Sequence, residues 1–136
     1  MTFKVINSRN KFGSRKKKDK PIVDGHVFDS NAEASRYREL SLLERKGIIS
    51  KLEVHPKFVI AKGMKNDHGQ HIRQWSYVAD FKYFDKENNR VCVEDVKSIR
   101  IDKNGKKHGT SQSRDYKLTR NQFMRLNPDI LFIESY

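Results

Sequence analysis

The stretch YVADFKYFDKENNRVCVEDVKS, residues 77–98, constrains the fold more than any other part of the chain. Two short runs carry apolar residues on both parities, and the polar DKENNR between them turns the chain, so two adjacent antiparallel strands are predicted. Strands apolar on both faces belong to a sheet covered on each side. Yet Asp80, Glu94, Asp95 and Lys97 stand in or beside these runs. Charges rarely occupy a buried strand unless they are paired or bound to something.

Side chains alternate along a strand, so Asp95 and Lys97 share one face while Glu94 points to the other. In an antiparallel hairpin, opposed residues have numbers of constant sum. With Glu87-Asn88 as the turn centre, Asp80 faces Asp95; with Asn88-Asn89, it faces Lys97. Both arrangements gather Asp80, Asp95 and Lys97 on one side. A turn with an odd number of loop residues reverses this, but even-numbered turns are commoner. A structural account remains open, a wet and weak ion pair at the strand ends. A chemical one stands beside it: two carboxylates repel unless a cation separates them, and oxygen ligands suit Mg²⁺. A lysine beside the ion could orient or deprotonate a water, or stabilise charge developing on a phosphate.

The rest of the chain supplies covers for that sheet. PIVDGHVF (21–28) is a short hairpin turning at Asp24-Gly25. DSNAEASRYRELSLLERKGII is a helix with Ser30 as N-cap and Gly47 as stop, its apolar side formed by Tyr37, Leu40, Leu43 and Ala32. KLEVHPKFVIA (51–61) is a strand interrupted by Pro56, an edge or a bulge. Residues 62–70 read as a loop, and HIRQWSYVADFKYF as one long strand with Trp75, Tyr77, Ala79, Phe81 and Tyr83 filling one face. That aromatic series is core before it is a base-stacking platform. Residues 99–115 form a basic, mobile loop; YKLTRNQFMRLN is a second helix with Tyr116, Thr119, Phe123 and Leu126 on one side, ended by Pro128; DILFIES is a last strand. The expected fold is a single α/β domain over 21–136 preceded by a flexible basic arm, 1–20.

Net charge is +12 over 136 residues, and an excess of that size favours a polyanion, most commonly nucleic acid. The arm carries Lys4, Arg9, Lys11, Arg15, Lys16, Lys17, Lys18 and Lys20 against Asp19 alone. It reads either as a solubilising tail or as a basic arm docking on phosphates, and the remaining basic excess favours docking. Arg100, Lys103, Lys106, Lys107 and Arg114 in the 99–115 segment, with Lys117 after it, are candidate backbone contacts. No run is long and apolar enough for a membrane span, no secretory signal opens the chain, and the single cysteine, Cys92, excludes a disulfide framework and a Cys-based zinc site. The expected location is cytoplasmic.

Glu33 stands three residues after Ser30, so SNAE is a capping box. It also shares the apolar side of the helix with Tyr37 and Leu40, from which a carboxylate could reach the Asp80 cluster. His26 and His55 fall in strand patterns where packing or surface roles are the default, although His55-Pro56 could approach the cluster. His68 and His71 read as solvated loop residues.

FDSNAE, then YVADF, then VEDVK resembles the PD-(D/E)XK nuclease superfamily. More closely, it is similar to small phage-encoded nucleases of that group, including junction-resolving enzymes of the phage endonuclease I type. Phe-x-Ser-x-x-Glu opens the first helix, Asp precedes Phe on one core strand, and acid-x-Lys ends the next. The order of elements matches over about residues 22–134. Ala79 stands where the superfamily name has proline, and Asp95 where Glu is frequent, directly after Glu94.

The resemblance implies a restriction-endonuclease-like core, a mixed central sheet flanked by helices, and Mg²⁺-dependent hydrolysis of DNA phosphodiester bonds, with Mn²⁺ as a substitute. Glu33, Asp80, Asp95 and Lys97 would be the catalytic set. Asp80, Asp95, the backbone carbonyl of Val96 and Glu33 would hold metal. The implied substrate is branched DNA such as a four-way junction, cut by a homodimer in the host cytoplasm. Other outcomes are a nuclease of broader structure preference, a transposition or repair nicking enzyme, and a non-catalytic nucleic-acid-binding protein.

Overall fold

The computed structural model describes residues 19–109 and 112–136. The Asp24-Gly25 turn joins β1 (Ile22–Val23) to β2 (His26–Val27), and both turn residues have positive φ, 50° and 79°, as a type I′ turn requires. Helix α1 (Asn31–Arg45) follows, with Ser30 Oγ accepting from the Glu33 amide at 3.2 Å and Gly47 at φ 75° ending it. Its buried side is Glu33, Ala34, Tyr37 and Leu40. Ala32 is exposed rather than packed, because Ala34 takes the place next to the sheet.

The central sheet has the order β12-β9-β8-β3, where β3 is Ile49–Val54, β8 Phe81–Asp85, β9 Arg90–Val96 and β12 Leu131–Ser135. β9 runs antiparallel to β8 and parallel to β12, so the sheet is mixed. On one side α1 covers a core of Phe28, Tyr37, Leu40, Ile49, Phe81, Tyr83 and Cys92. On the other, Tyr77, Ala79, Val93 and Phe123 pack together, Phe123 coming from α2 (Arg114–Leu126). Full burial of each large apolar side chain contributes about 1.5–3 kcal/mol. Leu126, expected on the packed side of α2, is 51% exposed, because the helix buries only its Phe123 stripe.

The segment expected to be one long strand is broken. β4 (Lys57–Ala61) pairs with β7 (Trp75–Val78), while β3 pairs with β8. The register nevertheless continues across the break: Val54 faces Phe81 and Lys57 faces Val78. Between them His55 N–H donates to the Asp80 carbonyl at 2.9 Å and Ala79 N–H to the Pro56 carbonyl at 3.0 Å. Both strands of one antiparallel ribbon therefore bend together and leave the sheet at His55-Pro56 and Ala79-Asp80. Pro56 lacks the N–H that would continue a regular ladder.

The bend divides the aromatic series between two cores. Phe81 and Tyr83 face α1, and Tyr77 and Ala79 join Phe123. Trp75 is 39% exposed, with Nε1 donating to Thr119 Oγ1 at 3.1 Å. The 62–70 stretch is not a plain loop, since β5 (Met64–Lys65) and β6 (His71–Ile72) extend the ribbon. Residues 99–109 likewise form a hairpin of β10 (Ile99–Ile101) and β11 (Lys107–Gly109) where a mobile loop was expected. Asp102 orders its turn, Oδ1 accepting from the amides of Asn104 and Lys106 at 2.9 Å and Oδ2 lying 2.8 Å from His108 Nε2. Among the described residues no helix is long and apolar enough to cross a membrane.

Candidate functional site

The β8–β9 turn decides the geometry. Phe81 faces Glu94 and Asp85 faces Arg90, a constant sum of 175, which makes Glu87-Asn88 the turn centre. Asp85 fixes that turn by accepting from the amides of Glu87 and Asn88 at 3.1 and 3.3 Å. Asp80 thereby falls opposite Asp95, one of the two arrangements the sequence leaves open.

Asp80 sits where the ribbon peels away and β9 is left without a β8 partner. Its carboxylate fills the gap, Oδ2 accepting from the Val96 amide at 2.7 Å. Asp95 is 9% exposed; its Oδ2 accepts from the Tyr77 hydroxyl at 2.7 Å and lies 3.4 Å from Lys97 Nζ. The same ammonium stands 3.4 Å from the centroid of the Tyr116 ring on α2, a cation–π contact. Lys97 is thus held between a carboxylate and an aromatic face. Tyr116 is tied in turn to Glu134 of β12, which Arg120 and Gln112 also grip.

Glu33 reaches the cluster from the first turn of α1. Its Oε2 accepts from the Asp29 amide at 3.3 Å, one residue before the Ser30 N-cap whose amide a full capping box would use, so Glu33 supports the start of α1 while taking a place in the site. His55 Nε2 lies 3.9 Å from that same oxygen. His55 adopts φ 52°, an uncommon backbone state for a non-glycine residue. One ligand atom each from Glu33, His55 and Asp80 lies within 4.8 Å of the others.

The electrostatics are those of crowded acids. Asp80 is pushed up to about 8, first by burial and then by the neighbouring Asp95 and Glu33, against the lowering effect of the Val96 amide. Burial is also the main cause raising Glu33. The Tyr77 hydroxyl is held far above its ordinary range, first by burial and then by Asp95. Without a cation, the cluster favours keeping a proton on Asp80 at neutral pH.

Glu94 is elsewhere, as its parity requires. It is fully buried on the α1 side, gripped by Arg36 through Nε at 2.8 Å and Nη2 at 2.6 Å, and by the Tyr83 hydroxyl at 2.6 Å. Its charge is compensated within the fold.

Of the candidate phosphate contacts, Lys103, Lys106 and Lys107 are exposed on the β10–β11 hairpin, which starts two residues after Lys97. Arg114 and Lys117 are exposed in the first turn of α2. Arg15, Lys16, Lys17 and Lys18 lie outside the described residues, as does the side chain of Arg100. From the sequence, His55 had a packing or surface role by default, with an approach to the cluster left open, and that approach is what the structure shows. Tyr77 was read as core and Tyr116 only as a helix-face residue. The one available signal was His55-Pro56 interrupting a strand, which marks where a ribbon can bend.

Comparison with known proteins adds a family and no activity. Residues 9–127 match the family described as Protein of unknown function (DUF1064). The chain belongs to that family. The matched span contains Glu33, His55, Asp80, Asp95 and Lys97 and both described helices, and it ends before β12. No curated protein and no solved structure matches the chain.

Proposed function

We propose that this protein is a divalent-metal-dependent endonuclease with a restriction-endonuclease-like core. The observation that carries the reading is the meeting, at the bend of the ribbon, of Glu33, His55 and Asp80 with the Asp95–Lys97 pair. Three carboxylates drawn from a helix, the ribbon bend and β9 repel one another, and a divalent ion would relieve that repulsion. The donor set fits such an ion: carboxylates are hard oxygen ligands, and one imidazole extends the range to Mn²⁺. The mixed β12-β9-β8-β3 sheet with a helix on each face is compatible with the proposed core.

Glu33, Asp80 and Asp95 would hold Mg²⁺ or Mn²⁺, with His55 and the Val96 carbonyl as further ligands. The bound ion would polarise the scissile phosphate and stabilise the leaving oxygen. Lys97, its ammonium held by Asp95 and Tyr116, positions the attacking water and balances charge developing on the phosphate. Tyr77 orients Asp95 through its hydroxyl. The lysines of the β10–β11 hairpin, with Arg114 and Lys117, hold the DNA backbone beside the site. The favoured substrate is branched DNA cut by a homodimer, since two symmetric nicks suit a two-fold enzyme.

The test uses the full chain with a four-way junction and a linear duplex of the same sequence, in Mg²⁺ and in chelator. Metal-dependent nicking of the junction is expected. Asp80→Ala and Lys97→Ala should bind DNA within about threefold of wild type and cut at least about 100-fold more slowly. Wild-type cutting by either variant overturns the catalytic assignment. Equal rates on linear DNA remove the junction preference alone. Binding without cutting under any divalent metal favours a non-catalytic nucleic-acid-binding protein.

A further inference from the structure

The ribbon that peels off the sheet continues well beyond the site. Lys57 faces Val78, Phe58 faces Tyr77 and Val59 faces Ser76; after one bulge Ala61 faces Trp75, and the same register resumes with Met64 opposite Ile72 and Lys65 opposite His71. β4–β7 and β5–β6 are therefore two parts of one ladder, interrupted at 62–63 and 73–74. From Lys57 to Lys65 it spans roughly 25–30 Å at about 3.3 Å per residue. Its root adjoins His55 and Asp80, and its tip is ordered. Asn66 Oδ1 accepts from the amides of His68 and Gln70 at 3.0 Å, and Asn66 N–H donates to the Gln70 carbonyl at 3.0 Å. At the interruption the strands press close, because a Cβ on Gly63 would meet the Gln74 amide nitrogen at 3.3 Å.

Only one face of β4–β7 is covered. Phe58 and Tyr77 pack on Phe123, with ring centroids 4.7 and 5.2 Å away. The opposed pairs Lys57–Val78 and Val59–Ser76 turn the other way, leaving Val59 and Val78 49% and 54% exposed. Beyond them Lys62, Lys65, His68, His71 and Arg73 are all exposed. Four permanent cations, Lys57, Lys62, Lys65 and Arg73, stand against Asp67 alone over residues 57–75. Among the described residues none of these four side chains has an ion-pair or hydrogen-bond partner, as is also true of Arg38, Arg45 and Lys46 on α1 and its C-cap; what sets the four apart is their placement along one extended ribbon that adjoins the site. The fold leaves this positive charge uncompensated along a two-stranded ribbon, a shape that a duplex major groove admits.

We propose that the 57–78 ribbon is a duplex-DNA grip, in which Lys62, Lys65 and Arg73 neutralise phosphates of the arm leading away from the site. The inference rests on the nuclease reading for the orientation of that arm, but not for binding itself. It adds a contact surface separate from the β10–β11 hairpin. The β5–β6 end, with Met64 and Ile72 56% and 50% exposed, is the part that would lie against the groove.

The test reads binding rather than cleavage, by fluorescence anisotropy of the full chain with a labelled duplex in chelator over a range of salt. Lys62→Ala/Lys65→Ala/Arg73→Ala should weaken binding at least about tenfold near 0.15 M salt and make the log–log salt slope shallower by about 2–3. The charge-keeping Lys62→Arg/Lys65→Arg/Arg73→Lys variant should bind like wild type. Arg38→Ala/Arg45→Ala/Lys46→Ala, which removes the same charge from exposed positions of α1 and its C-cap, should change the slope by less than one. An unchanged slope in the ribbon variant, or an equal loss in the α1 variant, overturns the proposal. So does a wild type that binds no duplex, or a ribbon variant that alters only self-association in sedimentation. A chain that binds through the ribbon yet never cuts refutes the nuclease reading alone; one that cuts while the ribbon variant keeps its slope refutes the ribbon alone.

Discussion

Replacing Asp80 by Asn should make the metal-free protein more stable at pH 8 and leave it nearly unchanged at pH 5. Asn keeps the oxygen that accepts from the Val96 amide and removes the charge that Asp95 and Glu33 oppose. In the folded chain Asp80 is pushed up from 3.8 to about 8, chiefly by burial. The folded state therefore holds that proton more tightly than the unfolded chain does. The associated stability is fully present below about pH 4 and is lost as pH rises to about 8. Each pH unit is worth about 1.4 kcal/mol, so the ceiling is roughly 5–6 kcal/mol. Sharing of protons among neighbouring carboxylates and entry of water reduce this to about 1–3 kcal/mol. Urea unfolding in chelator at pH 5, 6, 7 and 8 is the assay. The variant should gain on wild type steadily across that range and exceed it by about 1–3 kcal/mol at pH 8. Millimolar Mg²⁺ should then stabilise wild type and not the variant, and should do so more strongly at pH 8 than at pH 6, because the ion displaces the proton. A variant less stable than wild type at pH 8, or a difference that ignores pH, would refute the idea of mutually repelling acids poised for a cation.

Arg36→Met leaves Glu94 buried without its guanidinium and should cost about 3–5 kcal/mol in denaturant unfolding, while Arg36→Met/Glu94→Met recovers most of that loss; equal costs for the two would contradict the ion-pair account. Phe123→Ala opens the core that carries Tyr77 and should destabilise by about 3–5 kcal/mol. A loss under about 1 kcal/mol would mean that α2 is not anchored as described. With Mn²⁺ bound, pulsed electron paramagnetic resonance should detect a coupled ¹⁴N nucleus that disappears in His55→Gln; its absence in wild type would remove His55 from the ligand set. Tyr77→Phe removes the donor to Asp95 and should cost about 1–2 kcal/mol and weaken Mg²⁺-dependent stabilisation. Unchanged metal-dependent melting would restrict Tyr77 to packing.

Local chemistry made several parts of the chain legible. Asp24-Gly25 dictated a type I′ turn because both positions need positive φ, and Ser30 with Glu33 marked the start of α1 because orphan amides there need oxygen acceptors. Parity along β9 placed Asp95 with Lys97 and sent Glu94 to the opposite side, a consequence of strand geometry alone. What lay opposite was not determined: several turns fitted the sequence, and the Asp85-anchored turn at Glu87-Asn88 selected the one that brings Asp80 to Asp95.

Sequence periodicity failed where two strands bend together. Residues 71–84 alternate as one strand would, yet the His55-Pro56 and Ala79-Asp80 bend divides Tyr77 from Phe81 and assigns them to different cores. No period-two pattern records such a bend, because it depends on a partner strand more than twenty residues away. Glu33 and His55 were legible as residues that could reach Asp80, but their distances are set by the packing of α1 and the departing ribbon on β9. By itself, then, the sequence determined the first hairpin, the two helices, the last strand, the faces of β9 and the basic character of the chain, since these follow from short-range sterics and composition. Tertiary structure alone decided the bend, which of the open registers brings Asp80 to Asp95, the distances at which Glu33 and His55 meet Asp80, and the exposed cationic ribbon beyond, because each requires residues distant in sequence to compete for the same space.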